Sequence, residues 1–317
     1  MQQNCLVFGG TGFLGMNLCR MLRAQGARVT VCGRASSHAV RLQACFPEIR
    51  FLPLDFTTAP SFDDVLHGAD IVFHLVSTTK PSNRDVMAEF TTNVLPTIRL
   101  LEACRKKHVR LIYFSSGGTV YGVPRYLPID EGHRTEPISA YGIHKLAVEK
   151  CIEYYGRTYG LDYQICRISN PYGAWQEAHG SQGAAAVFLA KALQGQTVEL
   201  WGDGSVIRDY LYVDDLMAGI RALLSYHGDA HVFNFGSGKG TSLKELLYQI
   251  QRVAGRPVSV RRLSGRIQDV PANVLDIAQS WQELGWRSQT NLEEGLRKMV
   301  SMWDDKKEAF VPKEGDA

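Results

Sequence analysis

Short apolar runs alternate with longer amphipathic stretches along the first half of the chain. The runs are about four residues long and rich in β-branched and aromatic side chains, which is typical of strands buried on both faces. The predicted strands are Cys5–Phe8, Val29–Cys32, Phe51–Leu54, Ile71–Leu75 and Leu111–Phe114. Helical patterns lie between them, as at Leu14–Ala24 and Val86–Lys106. This alternation predicts an α/β fold with a parallel, doubly wound sheet.

One further helix and strand follow before the pattern changes. The helix runs from Ser139 to Tyr159, and the strand is Tyr163–Ile168. After residue 170, glycines separate shorter elements and the alternation is lost, which predicts a smaller α/β substrate-binding domain. The predicted ranges are 1–170 for the large domain, with 231–236 returning to its sheet, and 171–230 and 237–303 for the smaller one. The charged segment 304–317 is expected to be a disordered tail.

Composition limits the partners of the 317-residue chain. A net charge of +3 is too small to favour nucleic acid or a membrane surface. No apolar run approaches the ~20 residues of a membrane span, and the amino terminus lacks the order of a signal peptide. The seven cysteines form no Cys-x-x-Cys pair, and six lie in predicted strands or helices. We therefore expect reduced thiols and a cytoplasmic protein.

A glycine-rich turn follows the first predicted strand directly. Gly9, Gly12 and Gly15 permit a tight turn, let backbone N–H groups approach a pyrophosphate and let the next helix pack closely on the strand. Glycines alone also suit an ordinary turn, but this position between the first strand and the first helix indicates a dinucleotide site. The prediction is a Rossmann-type domain in which Phe13 and Leu14 also contact the cofactor.

The ends of the second and third strands bear on the choice of cofactor. Gly33-Arg34 stands where an acidic residue usually binds the ribose hydroxyls. Arg34 could pair with a 2′-phosphate, which favours NADP, or could be a solvated charge that stacks on the adenine. Asp55 could accept a hydrogen bond from the adenine amino group, and a plain turn residue would look the same. The expected cofactor is NAD, with NADP as the open alternative.

A tyrosine and a lysine open the long helix at 139–159. Their spacing of four residues places Tyr141 and Lys145 on one helical face, one turn apart. An ammonium near a phenol, whose ordinary pKa is about 10, favours the phenolate and makes the tyrosine a base near neutral pH. The pattern is common on helices, but behind a dinucleotide site it predicts a catalytic pair.

Hydroxyl side chains follow the fifth predicted strand. The segment 115–122 reads Ser-Ser-Gly-Gly-Thr-Val-Tyr-Gly, and the carboxyl ends of strands face the ligand crevice in open α/β sheets. Ser116 or Thr119 could therefore donate a hydrogen bond to the substrate oxygen that is oxidised. The alternative is a glycine-rich turn with capping hydroxyls.

Taken together, these motifs resemble the extended short-chain dehydrogenases/reductases, and most closely the group around UDP-glucose 4-epimerase. The resemblance extends to Trp286. It is carried by Gly-x-x-Gly-x-x-Gly at 9–15, the motif at 115–122, Tyr-x-x-x-Lys at 141–145, Arg-Ile-Ser-Asn-Pro-Tyr-Gly at 167–173, Trp-Gly-Asp-Gly at 201–204, Arg-Asp-Tyr-Leu-Tyr-Val-Asp-Asp at 208–215 and Arg-Ile-Gln-Asp-Val-Pro at 266–271.

The resemblance implies a role for each matching residue. Tyr141 is expected to be the catalytic base, and Lys145 to hold the nicotinamide ribose. Further cofactor contacts are expected at Phe56, Leu75, Val76, Ser77, Asn93 and Ser115. Contacts to a nucleotide-diphosphate sugar are expected at Lys80, Asn170, Arg208, Arg266, Asp269 and Asn273. Arginines suit this ligand because guanidinium presents forked donors to a diphosphate.

The chain departs from the family at one position. Typical 4-epimerases carry a serine or threonine four residues before the tyrosine of Val-Tyr-Gly, and Gly117 stands there in this sequence. Either Ser116 or Thr119 takes over its contact with the sugar, or the chemistry differs. At Asn273, epimerases limited to unmodified hexoses place a bulky tyrosine, so the smaller asparagine would admit an N-acetylhexosamine if its side chain faces the sugar.

The reaction is chosen among those of the family. The acidic pair of 4,6-dehydratases and the glutamate of decarboxylases are missing from 115–122, and no cysteine for a 3,5-epimerase lies in 105–150. NAD(P)-dependent inversion of C4 in a UDP-hexose or UDP-N-acetylhexosamine is the expected function. The alternatives are an NADP-dependent keto-sugar reductase or dehydrogenase and, in another class, a non-catalytic dinucleotide sensor. The two long helices correspond to a dimer contact in relatives, so a homodimer is expected.

Overall fold

Strands and helices alternate through the computed structural model, which describes residues 2–79, 82–177, 183–264 and 270–305. In chain order, the strands in these ranges are β1 (Asn4–Phe8), β2 (Arg28–Gly33), β3 (Arg50–Pro53), β4 (Ile71–His74), β5 (Arg110–Ser116), β6 (Tyr163–Ile168), β7 (Asn170–Tyr172), β8 (Val198–Trp201), β9 (Ile207–Tyr212), β10 (Val232–Phe235), β11 (Gly240–Ser242), β12 (Val260–Leu263) and β13 (Ala272–Asn273). The helices are α1 (Phe13–Ala24), α2 (Ser37–Cys45), α3 (Val86–Glu89), α4 (Leu95–Lys107), α5 (Ala140–Tyr159), α6 (Ala184–Gln194), α7 (Val213–Leu224), α8 (Leu243–Ala254), α9 (Ala278–Leu284) and α10 (Leu292–Asp305).

A parallel sheet forms the centre of the larger of the two structural units. Within the described ranges it has seven strands in the order β10-β6-β5-β4-β1-β2-β3. The chain builds outward from β1 to β3 and then returns to β4 on the other side of β1. The carboxyl ends of β1 and β4 therefore border the crevice where open α/β sheets bind ligands. The predicted Rossmann-type, doubly wound α/β fold is confirmed.

Alternate residues of β1 pack into two different cores. Cys5 and Val7 face a layer that contains α1 and α7, whereas Leu6 and Phe8 face a layer that contains α4 and α5. Helices cover both faces of the sheet, so the strand carries apolar side chains on each face, as the continuous apolar runs predicted. This packing fixes β1, and with it the glycine turn that follows.

The smaller unit is built on short strands and three helices. β9 pairs with β7, β11 and β13, and β8 pairs with β12. α6, α8 and α10 enclose a separate apolar core beside β9. No described helix is long and apolar enough to span a membrane.

The second half of the chain contributes to both units. β10 lies beside β6 in the seven-stranded sheet, and α7 packs with α1 on one face of that sheet. Gly219 lets α7 lie close to β10, because a Cβ there would lie 2.5 Å from Cε1 of Phe235. The predicted range 171–230 is therefore divided between the two sheets.

The predicted helix Val86–Lys106 is interrupted. α3 and α4 are joined by a π-helical turn, Phe90–Val94. Pro96, near the start of α4, has no N–H for the carbonyl one turn earlier, so a regular α-helical ladder cannot run through this point. π turns are frequent at functional sites, and this one contains Asn93.

Candidate active site

A cleft of about 290 Å³ opens at the carboxyl ends of the central strands. It contains the glycine turn, the predicted catalytic pair and the end of β5. The lining residues are Gly9, Gly12, Phe13, Leu14, Gly15, Leu75, Ser77, Phe114, Ser115, Ser116, Tyr141, Lys145, Ile168, Ser169 and Pro171. Sequence motifs far apart along the chain thus meet in one place.

The turn between β1 and α1 has the shape of a pyrophosphate cradle. Gly9 adopts φ +85°, and a Cβ there would lie 3.1 Å from the backbone of Leu75 and Val76. A Cβ at Gly15 would collide with the carbonyl oxygen of Gly9. Among the described residues, no side chain caps α1, and its first turn holds no acid. Its backbone N–H groups and positive end therefore suit the diphosphate of a dinucleotide.

Tyr141 lies in the first turn of α5, whose start is fixed by Ser139. The Ser139 side chain accepts a hydrogen bond from the backbone N–H of Gly142. Burial raises the pKa of Tyr141 to about 12, although a hydrogen bond with the Ser77 side chain acts in the opposite direction. The protein by itself therefore keeps this phenol protonated at neutral pH.

Lys145 is buried one turn further along α5. Its Nζ donates to the carbonyl oxygen of Phe114 at 2.9 Å and lies 5.8 Å from the centre of the Tyr141 ring. Burial lowers the pKa of Lys145 to about 8. The expected neighbourhood of the two side chains is present, and in the protein without a ligand burial raises the pKa of the Tyr141 phenol in spite of it.

The hydroxyls after β5 are placed differently from one another. Ser116 lines the cleft with Tyr141. Thr119 is half-buried, and its Oγ1 is buried without a hydrogen-bond partner among the described residues. Ser115 donates to the buried carboxylate of Glu149. Of the two alternatives from the sequence, Ser116 is the one that lies in the cleft, and its contact with a substrate stays a prediction.

Leu275 explains the glycine at position 117. A Cβ on Gly117 would lie 2.6 Å from Cδ1 of Leu275 and 3.2 Å from the carbonyl oxygen of Arg167. Leu275 is fully buried, so the space that a serine would need is already filled.

The predicted adenine contacts lie away from this cleft. Arg34 is exposed after β2, and its charge helps to lower the pKa of Asp55, although hydrogen bonds from Thr57 contribute more. Phe56 is buried in the core against Phe8 and Phe62. The side chain of Phe56 therefore lies in the core, and its expected cofactor contact stays a prediction.

Two further predicted cofactor residues act through the loop after β4. The backbone of Val76 lies against Gly9. Asn93 is buried, and its Oδ1 accepts from the backbone N–H of Thr78 at 2.9 Å while its Nδ2 donates to Glu89. Its amide is thus committed to contacts within the protein.

The predicted substrate residues form contacts between strands. Asn170 donates to the carbonyl oxygen of Asp209 at 3.2 Å, and Arg208 donates to that of Val270 at 2.7 Å. Asn273 is 1% exposed and donates to the carbonyl oxygen of Gly117 at 2.9 Å. Its Oδ1 is buried without a hydrogen-bond partner among the described residues, and the expected sugar contact stays a prediction. Lys80, Arg266 and Asp269 lie outside the described residues.

Sequence reasoning missed several residues of the site. Phe114, Ile168, Ser169 and Pro171 line the cleft because they end or follow β5 and β6, which the strand pattern could have shown. It also missed a buried contact between Glu89 and His144 beside Tyr141. His144 lies three residues after Tyr141 on the same helix, and that spacing was the available signal.

Comparison with known proteins agrees with this arrangement. Residues 5–236 match the NAD dependent epimerase/dehydratase family. The chain belongs to this family. A UDP-glucose 4-epimerase of Mycolicibacterium smegmatis is 34% identical over 311 residues, covering 95% of this chain and 98% of the relative.

Solved structures of the epimerase/dehydratase family superpose closely. UDP-glucose 4-epimerase from Thermotoga maritima with UDP-glucose gives a TM-score of 0.89 at 32% identity, covering 96% of this chain and 99% of that one. UDP-glucose 4-epimerase from Thermus thermophilus in complex with NAD gives 0.85 at 28% identity, covering 95% and 99%.

The packing at position 117 leads to a stability prediction. We expect Gly117→Ser to lower the free energy of unfolding by about 1–3 kcal/mol, because its side chain has to displace Leu275. Gly118→Ser is the matched control, since a Cβ there meets only Ser116 Oγ at 3.9 Å. Chemical denaturation of the three proteins measures the difference. Equal stability of Gly117→Ser and the unchanged protein would contradict the packing argument.

Proposed function

We propose that this protein is an NAD-dependent epimerase that inverts C4 of a nucleotide-diphosphate sugar. The observation that carries the proposal is the single cleft that brings the glycine turn together with Tyr141, Lys145 and Ser116. The M. smegmatis and T. maritima relatives, both UDP-glucose 4-epimerases, support UDP as the nucleotide. A hexose or an N-acetylhexosamine is the expected sugar.

Each side chain of the cleft has a distinct task in this reaction. Tyr141 accepts the proton of the C4 hydroxyl and returns it after inversion, and Ser116 donates a hydrogen bond to the same oxygen. NAD, when bound at the glycine turn, supplies the acceptor and donor of the C4 hydride and a positive charge near the phenol. Because burial holds the pKa of Tyr141 near 12, an added positive charge is needed for the phenolate to form at neutral pH.

Lys145 is the residue through which the protein holds the cofactor ribose. Burial that lowers its pKa to about 8 leaves an ammonium that gains from further acceptors. Its present acceptor is the carbonyl oxygen of Phe114 at the end of β5. This contact fixes the side chain between the strand and the cleft, so little ordering is required when ribose hydroxyls arrive.

Loss of the phenol tests the reaction. Tyr141→Phe removes the proton acceptor, and general base catalysis typically contributes about 10²–10⁴-fold to the rate. We expect kcat to fall by at least this range while the fold is kept. Nuclear magnetic resonance of UDP-hexoses and UDP-N-acetylhexosamines incubated with each protein measures inversion at C4. Turnover that Tyr141→Phe leaves undiminished, or a 6-deoxy or decarboxylated product, would refute the proposal.

The rates of C4 inversion for the same set of UDP-sugars also test which size of sugar the enzyme prefers. Asn273 is smaller than tyrosine, but its side chain is held by the carbonyl oxygen of Gly117. Room for an N-acetyl group therefore depends on the backbone around β13 rather than on contacts from this side chain. A strong preference for UDP-glucose over UDP-N-acetylglucosamine would remove the N-acetylhexosamine from the proposal.

The choice between NAD and NADP depends on Arg34. Its exposed position after β2 suits either stacking on the adenine or pairing with a 2′-phosphate. We propose NAD, bound tightly enough to stay between the two half-reactions. An enzyme that requires added NADPH and gives net reduction would instead be the keto-sugar reductase. A non-catalytic dinucleotide sensor would retain cofactor binding and convert no sugar.

Substitution of Arg34 separates the two cofactors. Arg34→Ala is expected to change NAD affinity by less than about fivefold, because one exposed charge contributes about 0–1 kcal/mol. If NADP is the cofactor, the same change should reduce its affinity far more. Arg28→Ala, at the opposite end of β2, is the matched control. Fluorescence titration with NADH and NADPH measures the affinities, and a clear preference for NADPH would contradict the assignment to NAD.

We propose a homodimer through the helices α3 to α5. Their outer faces carry exposed apolar side chains, which mark association surfaces: Met87, Leu95, Ile143, Tyr154 and Tyr159.

We also propose a cytoplasmic location, because the buried free thiols suit a reducing compartment. The proposed role there is to supply nucleotide sugars for surface polysaccharides.

Charge introduced on these helices tests the dimer. We expect the double variant Ile143→Lys, Tyr154→Lys to be monomeric, because two ammonium groups would be buried at the contact without partners. Val40→Lys, at an exposed apolar position of α2, should leave the dimer intact. Analytical ultracentrifugation measures the mass. A monomeric unchanged protein would overturn this proposal.

A further inference from the structure

A carboxylate and an imidazole meet beside Tyr141, and the reaction proposed above gives neither a role. Glu89 ends α3 and is 0% exposed, and His144 on α5 is 1% exposed. Nδ1 of His144 lies 2.6 Å from Oε2 of Glu89. Burial lowers the pKa of His144 to about 3, so the ring is neutral. We assign its proton to Nδ1, because two lone pairs at this distance would repel each other.

Glu89 also holds the loop that follows β4. Its carboxylate accepts hydrogen bonds from Oγ1 of Thr79 and, at 2.9 Å, from Nδ2 of Asn83. A third hydrogen bond comes from Nδ2 of Asn93 at 3.2 Å, and the other end of that amide accepts from the backbone N–H of Thr78. One buried carboxylate therefore joins the loop, the π-helical turn and α5.

This loop carries a hydroxyl that shares the cleft with the phenol. Ser77 lines the cleft with Tyr141, and its Oγ donates to the carbonyl oxygen of Thr79 at 3.2 Å, while Oγ1 of Thr79 donates to Glu89. The ring of His144, which contacts Glu89, packs edge-to-face on that of Tyr141, with the ring centres 5.0 Å apart. The hydroxyl and the phenol are thus each connected to Glu89 through one neighbouring residue.

We propose that Glu89 and His144 are positioning residues that fix the Tyr141 phenol and the Ser77 hydroxyl in one arrangement in the cleft. The proposal rests on the proposed function, since it assigns Tyr141 the role of base. Neither residue needs to touch the sugar. Their effect is on the rate of the chemical step, because a misplacement of about 1 Å can cost about 10²-fold.

The negative charge of Glu89 should affect the pH dependence of kcat. The groups that face Tyr141 and Glu89 are His144, Lys145 and Glu149 of α5, His74 of β4 and Tyr113 of β5. Among them, the negative charge of Glu89 raises the pKa of Tyr141. The rate falls as the phenolate is protonated, so removing this charge should move the acidic limb of the profile to lower pH.

Glu89→Gln tests the carboxylate, because the amide keeps the shape and loses the charge. We expect kcat to fall roughly tenfold to a hundredfold, with KM for the nucleotide sugar changed less than about twofold and the acidic limb shifted to lower pH. Glu153→Gln, which breaks only an exposed pair with Lys150 on the same helix, should leave all three unchanged. An unshifted limb, or an unchanged kcat, would overturn the proposal.

Two substitutions of His144 test the imidazole independently of charge. His144→Asn places an N–H near the position of Nδ1, and should retain most of kcat. His144→Leu has no donor for Glu89 and should lose about as much as Glu89→Gln. Equal activity of the two variants would overturn the role of the contact. This comparison also serves if Glu89→Gln does not fold.

Crystal structures provide a measurement that does not depend on turnover. The Tyr141 ring and the Ser77 hydroxyl should keep their positions in His144→Asn, and the Tyr141 ring should move in His144→Leu. An unmoved Tyr141 ring in His144→Leu would contradict the positioning role. If the unchanged protein inverts no sugar, the proposed function fails, while the crystal structures still decide whether Glu89 and His144 hold the phenol.

Discussion

Burial of a phenol and an amine in one cleft is the constraint on which the candidate site depends. Desolvation raises the pKa of Tyr141 to about 12 and lowers that of Lys145 to about 8, so it favours the neutral form of each. A buried amine requires an acceptor, and the carbonyl oxygen of Phe114 provides one. The protein alone therefore favours the protonated form of the Tyr141 phenol. In the proposed reaction, the phenolate then requires the positive charge of the bound cofactor, which would limit the chemistry to the filled cleft.

Local motifs were predictable because each is contained in one short stretch of chain. The glycine turn needs only β1 and the start of α1, and the spacing of Tyr141 and Lys145 needs only one turn of α5. What the spacing could not show is how strongly burial acts on the phenol, because that depends on the elements packed around it. The fold class was predictable for the same local reason, because each short apolar run predicts a strand that is covered by helices on both faces of the sheet.

Contacts between distant segments were not predictable. Glu89 and His144 come together only because α3 packs beside α5 and the π-helical turn brings Asn93 to the same carboxylate. The division of 171–230 is a second example. Nothing in the glycine spacing shows that α7 packs with α1, or that α7 lies against β10 at Gly219.

Gly117 and Leu275 occupy what is, in effect, a single volume shared between β5 and the segment after β13. A hydroxyl-bearing side chain at 117 requires a residue smaller than leucine at 275, and a glycine at 117 leaves a void unless a large residue fills it. Relatives should therefore change these two positions together during evolution. A hydroxyl at position 117 would then be acquired at least cost as a pair of substitutions, one in each half of the chain.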